Sequence, residues 1–427
     1  MTSGKQKKIL ILSGIPHMID VVETAKKMGL YTIVTDHAPG SPAKAFADKS
    51  YDVSTADLQK LADIARSEGV DGVFNAFDDV NTFHALALCN ELGLPHYATK
   101  KQLEICSNKD QFKAHCRQYG VPVTEEYLLG KEWSDKDIAD LKFPVIVKPV
   151  DSYASQGITI CYSKEELQNG YTKALDYSKS GKVIVERFLR NPYDIMMYYT
   201  VQDGEVFLSG VTDRYTHQQF KEYPPLPVGI IFPSQHREHY VRTLDPKVRN
   251  MIRGLGIQNG LIFIQSLYDN GSAYIYEMGF RISGAQHYII LEKETGVNLL
   301  EMMLDFAVGG DLGKYDVSKY DDSLLPLPAC NMPLLLDNGT IREIIGLDKV
   351  LCMPQVISAV VNKKAGDLIV HTGSYAPMFG RFHIVCETLT ELHRTIDAIF
   401  NTLKIVSDEG KEMTLARFNP AEAITSK

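Results

Sequence analysis

Gln265, Glu277 and Arg281 lie within one predicted hairpin, and their groups suit a cation and an anion bound side by side. Two apolar, β-prone runs within residues 261–281 flank the turn residues 269–271. If the loop has three residues, with Gly271 as the left-handed one, Gln265 and Glu277 become diagonal neighbours on one face, roughly 7–8 Å apart. A two-residue Asn-Gly loop would place them on opposite faces. The hairpin therefore predicts a Mg²⁺ site, or else is an amphipathic hairpin with a polar stripe.

A second segment, residues 143–158, carries a lysine where an apolar strand is expected. Lys148 lies in the run 145–150, which a small polar loop and a second strand at 158–162 follow. An ammonium group in such a run is unfavourable unless it meets an anion, and the loop offers hydroxyl and backbone N–H groups to phosphate. The segment is not a P-loop, because the lysine precedes the loop. A strand lysine that extends to the surface is the alternative.

In this order, the motifs of the chain resemble those of the ATP-grasp superfamily. The strand lysine and its loop come first, then an acidic hinge at 185–189, then the hairpin ending in E-x-[NG]-x-R, then a helix that opens near Thr295-Gly296. The resemblance covers about residues 99–310. It is greatest to the carbamoyl-phosphate-synthase-like and L-amino-acid-ligase-like carboxylate–amine ligases.

The resemblance implies an ATP site built from both halves of a cleft. Lys109 and Lys148 would face the phosphates, a flap would cover them, the hinge would hold adenine, and an acid would bind the ribose. The expected ATP-binding residues are Lys109, Lys148, Ser155, Gln156, Gly157, Glu186, Arg187, Phe188, Leu189, Asp194 and Leu267. Alternatives remain for three of them: Lys109 as a solvated helix lysine, Asp194 as a turn acid, and Leu267 as ordinary core.

The same resemblance assigns the metal and the chemistry. Gln265 and Glu277 would bind Mg²⁺ (or Mn²⁺), and Arg281 would act with Lys148 as the catalytic pair that steadies the transferring phosphate. A structural ion pair is the alternative role for Arg281. Gly279 departs from the family pattern, which has Asn there, so one oxygen ligand is missing.

The residues that follow Arg281 are expected to line the pocket for the acceptor substrate. Together with Arg281, they are Gly284, Gln286 and His287. His287 is either a base or simply a hydrogen-bonding side chain.

Composition excludes several classes of protein. The chain has 427 residues, 44% of them hydrophobic, and a formal net charge of −8, which leaves no basic stripe for nucleic acid. Its seven cysteines are scattered without a C-x-x-C pair, which favours reduced thiols and a cytoplasmic location. No apolar run reaches 18 residues, so no membrane span is expected. A homodimer is expected only as a prior from the family and from symmetry.

The order of predicted elements indicates a three-domain α/β and α+β architecture. Residues 1–98 alternate strands and helices as in a Rossmann-like parallel sheet. The turn after the first strand lacks G-x-G-x-x-G, so NAD binding is not expected although Asp36 follows the second strand. The ATP-grasp domain is predicted at 99–328, with a small nucleotide-covering subdomain at about 121–189 and a large one at about 190–328. Residues 329–427 form a predicted β-rich C-terminal domain that mixes α and β.

The predicted function is an ADP-forming carboxylate–amine (or carboxylate–thiol) ligase that works through an acyl phosphate. Its substrates would be small molecules, a carboxylate such as an amino acid and an amine. One alternative is an enzyme that phosphorylates bicarbonate or carbamate. Another is an ATP-binding module without catalysis, which Gln265 and Gly279 suggest.

Overall fold

The computed structural model of the chain describes most of its length. The described residues are 5–127, 129–130, 133–134, 136–150, 157–189, 193–217, 225–269, 271–312, 314–320, 327–371 and 377–419. Within those ranges, every helix is too short or too polar to span a lipid bilayer.

The N-terminal domain is a four-stranded parallel sheet in the order β3-β2-β1-β4. Its elements are β1 (Lys8–Leu12), α1 (Met18–Lys27), β2 (Tyr31–Thr35), β3 (Lys49–Tyr51), α2 (Leu58–Glu68), β4 (Gly72–Phe74) and α3 (Asp79–Leu92). Strand β1 is apolar at almost every position because helices cover both faces of the sheet. Helices α2 and α3 pack on one face, whereas α1 and a helix from the central domain pack on the other.

The central domain begins with two helices and a small antiparallel sheet. They are α4 (Lys100–Ser107), α5 (Lys109–Gln118), β5 (Glu126–Tyr127), β6 (Val145–Pro149), β7 (Thr159–Cys161), α6 (Lys164–Tyr177) and β8 (Val183–Arg187). The strand order is β5-β8-β6-β7. Every second residue of β6 is buried against α6, and Lys148 alternates with them on the other face.

A larger antiparallel sheet forms the opposite wall of the central domain. It is built from β9 (Tyr193–Gln202), β10 (Glu205–His217), β11 (Leu226–Phe232), β12 (Gly260–Asp269) and β13 (Ser272–Phe280). The helices of this part are α7 (Arg237–Thr243), α8 (Asp245–Gly254), α9 (Tyr288–Thr295) and α10 (Leu299–Gly309). Helix α10 supplies the second layer on the N-terminal sheet, so it joins the two domains into one core.

The C-terminal part completes this large sheet. Its elements are β14 (Ala329–Leu335), β15 (Gly339–Ile345), α11 (Leu347–Leu351), β16 (Val356–Val361), β17 (Leu368–Ile369), β18 (Met378–Val385), α12 (Leu389–Thr402) and β19 (Lys404–Ser407). Strand β14 pairs with β11, so the eight-stranded order is β13-β12-β9-β10-β11-β14-β18-β16. Strands β17, β15 and β19 form a separate small sheet.

This architecture confirms the predicted fold class. Because hydrogen bonds continue across residue 328 through the β11–β14 pair, the sheet itself marks no break there, and the exact domain bounds stay a prediction. The described part of the proline-rich stretch 222–233 forms β11, which pairs with β10 on one side and β14 on the other.

Candidate active site between the two sheets

The hairpin of β12 and β13 has a shorter loop than predicted, and a bulge compensates for it. Asp269 pairs with Ser272, so the loop has two residues and the three-residue expectation is wrong. Ser266 pairs with Ile275 but Gln265 pairs with Glu277, which leaves one extra residue, Tyr276, in β13. The bulge shifts the alternation by one, so Gln265 and Glu277 share a face after all, as direct cross-strand neighbours.

The extra residue of the bulge holds one of the two candidate ligands. The Tyr276 hydroxyl donates to Gln265 Oε1 over 2.7 Å, and Arg214 Nη2 donates to the same hydroxyl over 2.6 Å. Arg214 also donates from Nε and Nη2 to Asp194 Oδ2, at 2.9 and 2.5 Å. Asp194 was expected to bind ribose, but its carboxylate already accepts from Arg214. A ribose contact by Asp194 would therefore have to share that carboxylate.

Glu277 lies on the cleft face. Its side chain is exposed to water at the surface of the cleft, although protein groups lie on the other sides. Partial desolvation raises the pKa of Glu277, whereas the charges of Arg214 and Arg281 act in the opposite direction. Asp79 and Lys109 also lie close enough to influence it. A cation bound at this carboxylate would favour its ionised form, which is the form a metal needs.

Across the cleft, Lys148 donates to Glu186 Oε2 over 2.5 Å. The other oxygen of Glu186 accepts from Lys113, and Lys113 also reaches Glu126 Oε1 over 2.7 Å. Burial tends to raise the pKa of Glu186, but the two ammonium groups prevail and lower it to about 2. Glu186 is thus a buried anion that orients the ammonium groups of Lys148 and Lys113, and its expected place beside adenine stays a prediction.

Lys109 shows that the two halves of the cleft meet. It is the first residue of α5, which Asn108 caps by accepting from the backbone N–H of Gln111. Burial lowers the pKa of Lys109, and the charge of Lys148 lowers it further, whereas Glu277 and Glu186 oppose the shift. The charges of Lys148 on β6 and Glu186 on β8 thus act on the Lys109 ammonium group from one side, and the charge of Glu277 on β13 acts from the other.

Two backbone N–H groups of the hinge at the end of β8 are already hydrogen-bonded within the protein. The Arg187 N–H donates to the Glu125 carbonyl over 2.9 Å, and the Phe188 N–H donates to the Pro144 carbonyl over 3.1 Å. A backbone hydrogen bond between Arg187 and adenine would therefore use the carbonyl oxygen of Arg187 as the acceptor. Leu189 is buried, while Leu267 is half-buried on the same face of β12 as Gln265.

Only one of the three predicted flap residues can be placed. Gly157 has φ of +75°, and a Cβ there would come within 2.8 Å of both Pro149 Cγ and Tyr177 Cβ, so glycine is required on two counts. Ser155 and Gln156 lie outside the described residues.

Arg281 is held by the N-terminal domain. Its Nε and Nη2 donate to the two carboxylate oxygens of Asp79, at 2.7 and 3.3 Å, and its guanidinium lies 4.9 Å from the centre of the Phe263 ring. The ion pair that was the alternative role for Arg281 is therefore present. Because Arg281 also acts on the pKa of Glu277, the pair lies at the site itself.

Gly279 has a steric explanation. A Cβ at this position would lie 2.2 Å from Phe263 Cε1 and 2.3 Å from Cζ. The Phe263 ring thus occupies the space that the family's asparagine would need.

The predicted acceptor residues Gly284, Gln286 and His287 connect β13 to α9. Gln286 and His287 are almost wholly buried, and His287 stacks on Tyr198 with ring centres 3.9 Å apart. Burial lowers the pKa of His287 to about 3, so its ring is neutral at pH 7 and too weakly basic to serve as a general base. The hydrogen-bonding role stays a prediction, because Nδ1 of His287 has no partner among the described residues.

A family model matches the segment that carries this geometry. Residues 108–315 match the model described as carbamoyl-phosphate synthase L chain, ATP binding domain. The segment includes Lys109, Lys148 and Glu277 and ends after α10.

Residues 108–315, just under half of the chain, form an ATP-grasp domain.

Curated relatives extend the match at low identity. The 2-oxoglutarate carboxylase small subunit of Hydrogenobacter thermophilus is 22% identical over 325 residues, which cover 71% of this chain and 67% of that subunit. The formate-dependent phosphoribosylglycinamide formyltransferase of Sulfurisphaera tokodaii is 27% identical over 212 residues, covering 48% of this chain. The aligned part is 53% of that relative, so the match spans about half its length.

Solved structures share the whole architecture. Phosphoribosylglycinamide synthetase from Anaerococcus prevotii superposes with a TM-score of 0.77 at 19% identity, covering 95% of this chain and 100% of that one. The L-amino acid ligase from Bacillus licheniformis gives 0.75 at 19%, with the same coverage. At such identity these structures show the ATP-grasp fold alone, which agrees with the fold class predicted from sequence.

The ATP-grasp site here would hold a metal with few protein ligands. No group of three His, Cys, Asp or Glu side chains converges within the part of the chain that the structure describes. Glu277 and Gln265 together offer a carboxylate and an amide oxygen on one face, and the second lone pair of Gln265 Oε1 stays available beside the Tyr276 bond. This donor set fits Mg²⁺, which takes one or two protein oxygens and keeps water and phosphate for the rest.

Three charged residues of this ATP-grasp site were missed by sequence reasoning. Lys113 follows Lys109 by four residues on α5, so its helical spacing was the available signal. Arg214 on β10 and Asp79 at the start of α3 carried no local signal, because strand pairing and domain packing bring them to the hairpin.

Proposed function

We propose that the chain is an ATP-dependent, ADP-forming ligase that joins a small carboxylate to an amine through an acyl phosphate. The observation that carries this proposal is the packing of α5, which begins at Lys109, against β13, where the charges of Lys148 and Glu277 both act on the Lys109 ammonium group. Such a cleft suits a triphosphate, because Lys148 of the small sheet and Lys109 of α5 supply cations near the oxygen ligands Glu277 and Gln265 of the large sheet. The ATP-binding description of the matching family agrees with it.

The reaction has two steps. A substrate carboxylate oxygen attacks the γ-phosphorus of ATP, the bond to the β,γ-bridging oxygen breaks, and ADP leaves. The amine then attacks the acyl carbon, loses a proton, and phosphate leaves as the amide forms. A carboxylate–thiol ligase would differ only in the second nucleophile.

The residues act by position and charge. Lys148, held by Glu186, and Lys109 would neutralise phosphate oxygens, while Arg281, held by Asp79, would bind the charge that develops on the transferring phosphoryl group. Glu277 and Gln265 would hold Mg²⁺ (or Mn²⁺), which when bound neutralises phosphate charge.

Replacing Lys148 or Glu277 with alanine tests the assignment. Each variant should lose substrate-dependent ADP release by a factor of about 100 or more, with an unchanged far-UV circular dichroism spectrum. Lys173 and Glu238 are exposed and lie outside the site, so Lys173→Ala and Glu238→Ala serve as matched controls. Normal turnover in both active-site variants would contradict the proposal.

Hydroxylamine trapping separates the ligase from its closest alternative. An acyl phosphate from an amino acid or other carboxylate yields a hydroxamate with hydroxylamine, whereas bicarbonate as the phosphorylated group does not produce a substrate-derived hydroxamate. The trapping is run with a panel of amino acids against bicarbonate alone.

A non-catalytic nucleotide-binding module is favoured by one observation, the Phe263 ring that blocks an asparagine at Gly279. It predicts ATP binding without ADP release for every acceptor in that panel.

A further inference from the structure

Beyond Arg281, the domains meet around five buried polar side chains, here called the junction cluster. Its members are Gln286, His287, Asn331, Arg381 and His383, each at most 3% exposed. Asn331 on β14 pairs directly with His383 on β18, and Arg381 lies two residues before His383, so all three share one face of the sheet. Helix α9 and the segment before it cover that face.

The guanidinium of Arg381 is fixed by the central domain and by its own sheet. Arg381 Nη1 donates to Asn331 Oδ1 over 2.8 Å and contacts the Ala285 carbonyl over 3.4 Å, and the Asn331 amide donates to that same carbonyl. Asn331 therefore ties the arginine to residue 285, immediately before Gln286. A fork oriented in this way matches the geometry of a carboxylate.

Gln286 points to a ligand at the cluster. It is fully buried with φ of +52°, and neither Oε1 nor Nε2 has a hydrogen-bond partner of acceptable geometry in the described part of the chain. The Gln286 amide does lie near the Tyr288 hydroxyl. Burial raises the pKa of that hydroxyl, and the amide lowers it in part. His287 Nδ1 is likewise buried, and no described residue offers it a hydrogen-bond partner. Buried polar atoms without partners are uncommon in folded proteins, and a bound group would satisfy them.

The edge of the cluster faces the N-terminal domain. His17 and Phe77 are half-buried there, with ring centres 6.1 Å apart, and Phe77 approaches Gly284. The charge of Arg381 reaches His17 as well as His383 and contributes to keeping both rings neutral. A substrate group entering past these residues would meet Arg381 and Gln286 at the buried end. Gln286 is only five residues along the chain from Arg281.

We propose that the junction cluster binds a carboxylate that is not the one phosphorylated, so that the amine substrate is an amino acid held by its own carboxylate. Arg381 supplies the charged fork, and the Gln286 amide supplies a further donor. The inference rests on the proposed function, since it names the class of amine that the same site accepts.

The test compares amino acids with their amides as the amine substrate. ADP release is measured with glycine against glycinamide and with L-alanine against L-alaninamide, each paired with the members of the amino-acid panel as the carboxylate substrate. The unaltered protein should use the acids with a KM about 10- to 100-fold lower than the amides, since the amide lacks the charge that Arg381 binds. Arg381→Gln should raise the KM for the acids to that of the amides, and Arg381→Lys should restore part of the difference.

Gln286→Met provides a variant that separates binding from folding. Removing an amide that has no hydrogen bond of acceptable geometry among the described residues should keep or raise the urea midpoint, whereas the KM for the amino acid should rise about tenfold. A fall in the midpoint with an unchanged KM would overturn the assignment of Gln286.

The two proposals fail in different ways. If no pair of substrates releases ADP, the ligase proposal itself is wrong. If ADP is released but acids and amides are used equally, and Arg381→Gln changes neither KM, the cluster does not bind a carboxylate and only this inference is overturned.

Discussion

Replacing Glu186 with glutamine should destabilise the small sheet of the central domain in a pH-dependent way. The carboxylate is 2% exposed and bridges Lys148 and Lys113, which lower its pKa from the ordinary value of 4.5 to about 2. Each tenfold change in acidity corresponds to about 1.4 kcal/mol, so the ionised group contributes about 3 kcal/mol of folding free energy. Glutamine keeps the shape of the side chain but loses this contribution.

The sign follows from the lowered pKa. The contribution is fully present above pH 4.5, where the carboxyl group is ionised in both states, and is lost as the pH falls toward 2. The difference in unfolding free energy between the natural protein and Glu186→Gln should therefore be about 3 kcal/mol at pH 7 and should shrink by about half at pH 3.

The chain offers a local probe for this measurement. Trp133 is its single tryptophan, and it packs edge-on against Tyr171 of α6, with ring centres 4.6 Å apart. Urea unfolding followed by tryptophan fluorescence thus reports on the same subdomain as Glu186. Glu125→Gln is the matched control, because Glu125 is exposed beside the neighbouring strand and should leave the urea midpoint unchanged.

Two outcomes would refute this account of Glu186. If the difference stays the same from pH 7 to pH 3, the loss comes from packing and not from charge. If it is under about 1 kcal/mol at pH 7, the buried pairs are no better than surface ion pairs.

Three further outcomes are expected. Gly279→Asn should lower the free energy of unfolding in urea by about 1–3 kcal/mol, because the asparagine side chain collides with the Phe263 ring. Adding Phe263→Val should restore the urea midpoint and lower the Kd for Mg²⁺ in a titration in the presence of ATP. Asp79→Ala should lower kcat for ADP release about tenfold at an unchanged KM for ATP, because Arg281 loses the carboxylate that orients it. Asp78→Asn is the control, since asparagine can also cap α3. Stability should fall as the pH drops from 6.5 toward 4, seen as falling urea midpoints, because burial holds four histidines neutral; a flat profile would contradict this. Their pKa values are lowered to about 4 for His17 and His96 and to about 3 for His287 and His383.

Local sequence patterns predicted the fold class, whereas the roles of the site residues stay predictions. The alternation of strands and helices in residues 1–98 predicted the parallel N-terminal sheet, because burial on a sheet or helix face imposes a short-range period. The strand lysine and the Glu277–Arg281 spacing indicated the ATP-grasp domain, since those motifs are contiguous in the chain.

The tertiary structure decided what each side chain contacts. The bulge at Tyr276 returned Glu277 to the face of Gln265 despite a shorter loop, and loop length alone predicts the opposite. Glu186 became the anion between two lysines only because Lys113 of α5 and Lys148 of β6 both reach it on β8. Arg381 meets the segment after Arg281 from 100 residues away, because β14 and β18 extend the large sheet. Such contacts depend on strand order and packing between distant segments, and no local period in the sequence encodes them.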